Sequence, residues 1–185
     1  MKKIILPSFL AAIVVFVWMF ISWVIIPWHN GDMKTINDHL LIQQMKESLT
    51  QPGIYLYPGE LEDQSDAAME KWNALYQAGP IVHFMVYNPN GAEWNMALPM
   101  IRGFLINFIS AFFAAVLLMM TLAQNPSFFR RVIFVMMLGL FAGFVGPLIE
   151  WNYWKFPFGY SIVGVIDLCV TWFLAGLVLA WRIKP

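Results

Sequence analysis

From Ile4 to Trp28 the chain carries no charged side chain, and the run exceeds the roughly 20 residues that cross the hydrocarbon core of a bilayer. Three more apolar stretches follow, over 99–124, 132–150 and 160–181, each with one charged residue. In lipid every backbone N–H and C=O must be satisfied within the segment, so such stretches must be helices. The pattern predicts an α-helical membrane protein: a four-helix transmembrane bundle, helices over 1–28, 99–124, 132–150 and 160–181, with a small α+β extracytoplasmic cap over 29–98. Composition agrees, since 60% of the 185 residues are hydrophobic and only 12% charged, against about 25% charged in an ordinary soluble domain.

The first run is expected to stay as an uncleaved anchor, because it ends Ile25-Ile26-Pro27-Trp28-His29, without the small residues of a cleavage site. Trp18, Trp23 and Trp28 recur every five residues, too sparsely for one helical face. Lys2, Lys3, Arg130, Arg131, Arg182 and Lys184 all fall at one set of helix ends. By the positive-inside rule both termini are expected in the cytoplasm of a bacterial inner (plasma) membrane protein, with residues 29–98 outside.

The segment 29–98 holds nine of the eleven acidic residues and only Lys34, Lys46 and Lys71 as basic ones. Asp32 is expected to cap a helix over 33–49, which Pro52-Gly53 ends. Ile54 to Tyr57 reads as a strand. An acidic turn of Glu60, Glu62, Asp63 and Asp66 leads into a helix over 66–78, stopped by Gly79-Pro80, and Ile81 to Tyr87 reads as a second strand.

Small residues recur at helical spacing on the last two membrane helices: Gly139, Gly143, Gly146 and Glu150 on one, Gly164, Asp167, Thr171 and Ala175 on the other. The second helix carries Gly103, Asn107, Ser110 and Ala114 in the same way. Such stripes are where membrane helices meet, and an ionisable group on one is a candidate site. Asp167 lies seven residues below Tyr160, about 10 Å into the outer leaflet at 1.5 Å per residue. Arg102, Glu150 and His29 fall near the outer ends of the other three helices, so this candidate polar cluster, His29, Arg102, Glu150 and Asp167, shares one layer. The plainest account of it is structural, with Arg102 and Asp167 pairing between helices, Glu150 in interfacial water and His29 beside Trp28 as an interfacial side chain. The sharper account is an outward-opening polar pocket in which Asp167 or Glu150 exchanges a proton or holds a cationic group, with Asn107 and Asn152 as neutral partners.

Other chemistries find less support. His29, His39 and His83 are the only histidines and weak metal candidates, without the close spacing of a ligand pair. Cys169, the one cysteine, excludes a disulfide within the chain and reads as a small apolar residue. No GxSxG, GxxxxGK[ST], GxGxxG or HExxH occurs, no cofactor is implied, and the zero net charge with no basic run beyond two residues excludes a nucleic-acid partner. The crowded aromatics of 151–160 suit interfacial anchoring and would equally suit docking of a quinone, lipid or partner helix.

The elements Phe16-Val17-Trp18, Trp23, Pro27-Trp28-His29, Gly53-Ile54-Tyr55, Gly79-Pro80 and Tyr160 to Gly176 around Asp167 resemble those of bacterial inner-membrane proteins with four helices and an outer cap. That resemblance implies the architecture and carries no activity. The order of parts is also similar to that of claudins, by analogy only, since the cysteine pair of the claudin first outer loop is missing. Two functional expectations follow. One is an accessory, assembly or stabilising subunit of a larger envelope complex, with no catalysis of its own, whose partners are the bilayer and other membrane subunits or itself. The other is a small membrane enzyme or proton-coupled carrier built around Arg102, Glu150 and Asp167.

Overall fold

The structure is a computed structural model that describes residues 2–61 and 63–185, without the side chains of Lys2 and Lys3. Met1, and Glu62 of the expected acidic turn, lie outside the described residues. The chain is mostly helical and divides into two compact units, Met1–Met33 with Asn95–Pro185, and Lys34–Trp94.

The first unit contains α1 (Lys2–Phe20), α4 (Ala97–Met120), α5 (Phe128–Val145), α6 (Pro147–Trp154) and α7 (Phe158–Arg182). Four stretches are long and apolar enough to cross a membrane, Ile4–Ile25, Ala97–Met120, Phe128–Trp154 and Phe158–Arg182, the pattern of a multi-pass membrane protein. Packing runs α4–α1–α7–α5, with α5 on α7 the most extensive contact and α4 scarcely touching α5. The core is made of small side chains, among them Ala11, Ala111, Ala114, Ala115, Ala175 and Ala180, filled out by Val15, Leu118, Val135 and Leu179. Lipid competes for large apolar groups as well as a partner helix does, so close approach of backbones supplies the attraction instead.

The glycine stripes are the sharpest case of this. A Cβ on Gly139 would stand 2.5 Å from the Leu168 carbonyl oxygen and 2.6 Å from the Trp172 side chain. Gly143 meets Val165, Gly164 meets Pro147, and Gly176 meets the Val132 backbone. Gly139 and Gly143 of the first stripe therefore pack against α7 at Val165, Leu168 and Trp172, whereas Asp167 of the second meets Trp18 of α1.

The membrane helices differ from expectation at their ends. Ser127 caps α5 by accepting from Arg130 N–H at 3.3 Å, so the helix starts before Arg130-Arg131 rather than after it. Arg131 is 4% exposed, and its guanidinium donates to the carbonyls of Asn125, Pro126 and Ala180 at 2.8–3.4 Å. It thus satisfies the Ala180 carbonyl left over at the C-terminal end of α7, where a cation also suits the helix dipole, together with two carbonyls of the loop before α5. At the other end of α5, Pro147 has no N–H to continue the ladder; the chain breaks there and resumes as α6. The expected aromatic link from Trp151 is the second half of that short helix, closed by Lys155 in the left-handed conformation at φ 56°.

The second unit holds α2 (His39–Ser48), β1 (Gly53–Tyr57), α3 (Asp66–Ala78) and β2 (Val82–Tyr87). The strands pair antiparallel, Gly53 opposite Tyr87 and Tyr55 opposite Met85. Trp72 of α3 donates to the Gly59 carbonyl at 2.7 Å and stacks on Tyr76, whose ring meets His83 of β2 edge-on. The cap of α2 is Asp38, not Asp32: its Oδ1 accepts from Leu40 and Leu41 N–H at 2.9 and 3.1 Å. Neither α2 nor α3 fully buries a residue.

Candidate functional site

The end of α1 builds the site. After Phe20 the helix widens into a π-helical turn, Ile21–Ile25, in which Ile26 N–H reaches back five residues to the Ile21 carbonyl at 2.9 Å. A short 3₁₀ turn, Pro27–Asn30, follows and folds the chain back on itself. Wide turns of this kind recur at functional sites because they re-aim side chains without ending the helix. Here the result is a knot around Ser22. Trp28 Nε1–H donates to both the carbonyl and the Oγ of Ser22 at 3.1 Å, and Ser22 Oγ stands 3.0 Å from His29 Nε2. Trp23 lies flat on the His29 ring, 3.9 Å between centroids and 4° between planes.

His29, only 3% exposed, is thereby held against Asp167 of α7, 8% exposed. Nε2 stands 3.6 Å from Asp167 Oδ2, while Trp18 Nε1–H donates to Oδ1 at 2.7 Å. Asp167 is thus tied to α1 twice, by a short hydrogen bond and by a longer ionic contact. The arrangement accepts two proton states. With His29 neutral, the Ser22 hydroxyl donates to Nε2; with His29 protonated, Nε2–H is shared between Ser22 Oγ and Asp167. Burial sets the balance, pulling the imidazole below its ordinary pKa despite the opposing pull of the Asp167 carboxylate.

One side of this pair is open. A cavity of about 480 Å³ lies among α1, α4, α5, α6 and α7, where α4 and α5 fail to close on each other. Its lining grades from exposed side chains, Trp23, Ile106 and Glu150, to buried ones, Val15, Asp167 and Thr171. Asn107 and Ser110 contribute from α4, Tyr160, Gly164 and Trp172 from α7. Asn107 is held by α1 through its Nδ2–H and the Met19 sulfur at 3.1 Å. A volume of this size suits a small organic ligand, since such sites usually run about 300–1,000 Å³.

Of the expected cluster, the structure brings His29, Glu150 and Asp167 to one cavity and leaves Arg102 out. Arg102 is exposed, does not line the cavity, and has no carboxylate within ion-pair distance among the described residues. The pairing expected between Arg102 and Asp167 gives way to Trp18 and His29, which the end of α1 and the turn after it bring to Asp167. Asn152 likewise does not line the cavity. Trp18 and Ser22 are the residues that sequence reasoning missed. The signal was present in the five-residue Trp spacing, which is irregular for an α-helix but fits a chain that turns π-helical after Trp18.

His39 opens α2, and His83 Nε2 stands 3.5 Å from Tyr76 Oη. Among the described residues no three His, Cys, Asp or Glu side chains gather as a metal site requires. Comparison of the chain with protein-family models, curated proteins and solved structures returns no match.

Proposed function

We propose that the protein is a multi-pass protein of the bacterial inner membrane whose working site is the cavity beside His29 and Asp167, a ligand site in a proton-coupled carrier or small membrane enzyme. In this reading the four apolar helices form a transmembrane bundle, both termini are cytoplasmic, and residues 29–98 form an extracytoplasmic α+β cap. Support for the orientation is the gathering of Lys2, Lys3, Arg130, Arg131, Arg182 and Lys184 at one set of helix ends.

The observation that carries the functional reading is that a buried His–Asp pair forms part of a cavity wall instead of being packed over. A His–Asp pair kept only as glue between helices is best sealed by side chains, because its attraction weakens when water reaches it. Here His29 and Asp167 lie beside space for a ligand, with a hydroxyl at Ser22 positioned for either proton state. The competing reading, an accessory or assembly subunit, would use small-residue stripes for contact with a partner, and Gly139 and Gly143 are already packed against α7 within the chain. One observation still favours it: α6 and the start of α7 leave Trp151, Tyr153 and Phe158 exposed. Recovery of a stoichiometric membrane partner in mild detergent, lost when these aromatics are replaced by Ser, would support that second reading.

The cavity reading is tested by thiol labelling from outside intact cells, in a Cys169→Ala background. Thr171→Cys is expected to react with a membrane-impermeant maleimide, and Ala175→Cys, one turn deeper and fully buried, to stay unlabelled. His39→Cys checks the orientation. Labelling of His39→Cys without Thr171→Cys would sink the site while leaving the topology standing.

A further inference from the structure

The ligand class can be read from what lines the cavity and what does not. Among the described residues the lining carries two carboxylates, Asp167 and Glu150, and no Lys or Arg. The nearest candidate for a compensating charge is His29, whose pairing with Asp167 leaves Glu150 unmatched. Asp167 Oδ2 accepts no hydrogen bond among the described residues; its closest partner is His29 Nε2 at 3.6 Å, and Trp18 occupies the other oxygen. A largely buried carboxylate on a cavity wall, with one oxygen held by Trp18 and the other meeting His29 only at 3.6 Å, has room for a further donor or a positive charge.

The rest of the wall is aromatic and aliphatic. Trp23, Trp172 and Tyr160 contribute aromatic rings, and Met19, Leu168 and Pro147 apolar surface. Indole and phenol rings attract cations through their quadrupoles, most strongly out of water. A tightly ligated metal ion fits poorly, since among the described residues no three His, Cys, Asp or Glu side chains gather to hold one. An anion would face two carboxylates with no fixed positive charge opposite.

Resting on the reading of this cavity as a ligand site, we infer that its ligand is a lipophilic organic cation, an amine or onium centre carried on an apolar body, with its charge between Asp167 and Glu150 and its body against Trp23 and Trp172. The buried carboxylate sets depth, and the exposed Glu150 draws the cation in. Arg102, exposed and outside the lining, leaves this field uncancelled within the cavity.

The test uses two probes of equal shape and opposite charge, tetraphenylphosphonium and tetraphenylborate, with triphenylphosphine oxide as a neutral third. Binding is measured on the purified full chain in detergent micelles, with empty micelles subtracted. The wild type is expected to hold the phosphonium at least about tenfold more tightly than the borate, and Asp167→Asn and Glu150→Gln each to weaken phosphonium binding about tenfold. Arg102→Gln is expected to leave it unchanged. Glu150 is exposed, so Glu150→Gln keeps the test open should Asp167→Asn fail to fold. Borate or the neutral probe binding as tightly as the phosphonium would overturn the cation assignment while leaving a ligand site. Binding of none of the three would overturn it as well, and the Thr171→Cys labelling then decides whether the cavity reading falls with it.

Discussion

The contact between α5 and α7 sets the width of the cavity, because Trp172, which packs on Gly139, also lines the cavity wall. Gly139→Ala therefore probes both packing and site. The added Cβ would stand 2.5 Å from the Leu168 carbonyl oxygen and 2.6 Å from Trp172 Cβ, about 0.9 Å short of the 3.4 Å at which ordinary contact begins. Two of the obstructing atoms are backbone or Cβ, so no rotamer change relieves them and the helices must part. Overpacking of this kind costs about 1–3 kcal/mol, against about 1 kcal/mol gained by Ala over Gly in a helix, for a net loss of up to about 2 kcal/mol. At about 2–4 °C per kcal/mol for a chain of this size, the thermal midpoint should fall by up to about 8 °C. Gly176→Ala and Gly143→Ala meet first neighbours at 3.0 and 3.1 Å and should lose less. Gly103→Ala meets nothing within 4 Å and should be neutral or stabilising. The assay is melting in one detergent, followed by gel filtration with intrinsic fluorescence. A Gly139→Ala protein that melts at or above the wild type, or a Gly103→Ala protein that loses as much, would refute the reasoning.

Arg131→Ala should cost about 2–4 kcal/mol, since it strands the carbonyls of Asn125, Pro126 and Ala180, whereas Arg130→Ala at the exposed neighbouring position should be nearly neutral, both by the same melting assay. Arg131→Lys should recover only part of the loss, because an ammonium cannot reproduce the fork that spans two helix ends. Because burial holds the folded pKa of His29 below its unfolded value, the neutral imidazole stabilises the fold above about pH 6.5, and that contribution is lost as pH falls toward the folded pKa. His29→Gln should flatten the acid limb of the melting curve below about pH 6.5. Asp38→Ala should cost about 1 kcal/mol locally and raise amide exchange in the first turn of α2, while Asp32→Ala leaves that exchange unchanged.

What could be read in advance tracks how local its cause is. The four apolar spans, β1, α3 and β2 are legible because Pro-Gly and Gly-Pro breaks and bilayer length act over a few residues. The start of α2 is misplaced because Asp32 and Asp38 are both good caps, and only the unbroken run after Asp38 decides between them. The break at Gly146-Pro147 was legible in principle from Pro147, yet the apolar run through it hides it. The meeting of Asp167 with Trp18 and His29 is of another kind. It joins residues about 140 apart in the chain through one irregular turn, whose energy difference from an α-helical turn is small and unmarked by composition. Arg131 shows the same limit: counted as a charge it gives orientation, and its burial emerges only once α5 and α7 pack.

The π turn at Ile21–Ile25 makes the site sensitive to chain length in a way the fold is not. Val24 and Ile25 are largely exposed, so loss of one residue there would let α1 continue as a regular helix without disturbing its packed stretch at Ala11, Ala12 and Val15. The same loss would swing everything after it by about 100° around the helix axis, carrying His29 away from Asp167. A single codon insertion or deletion there can therefore make or break the His29–Asp167 contact while the four helices stay intact.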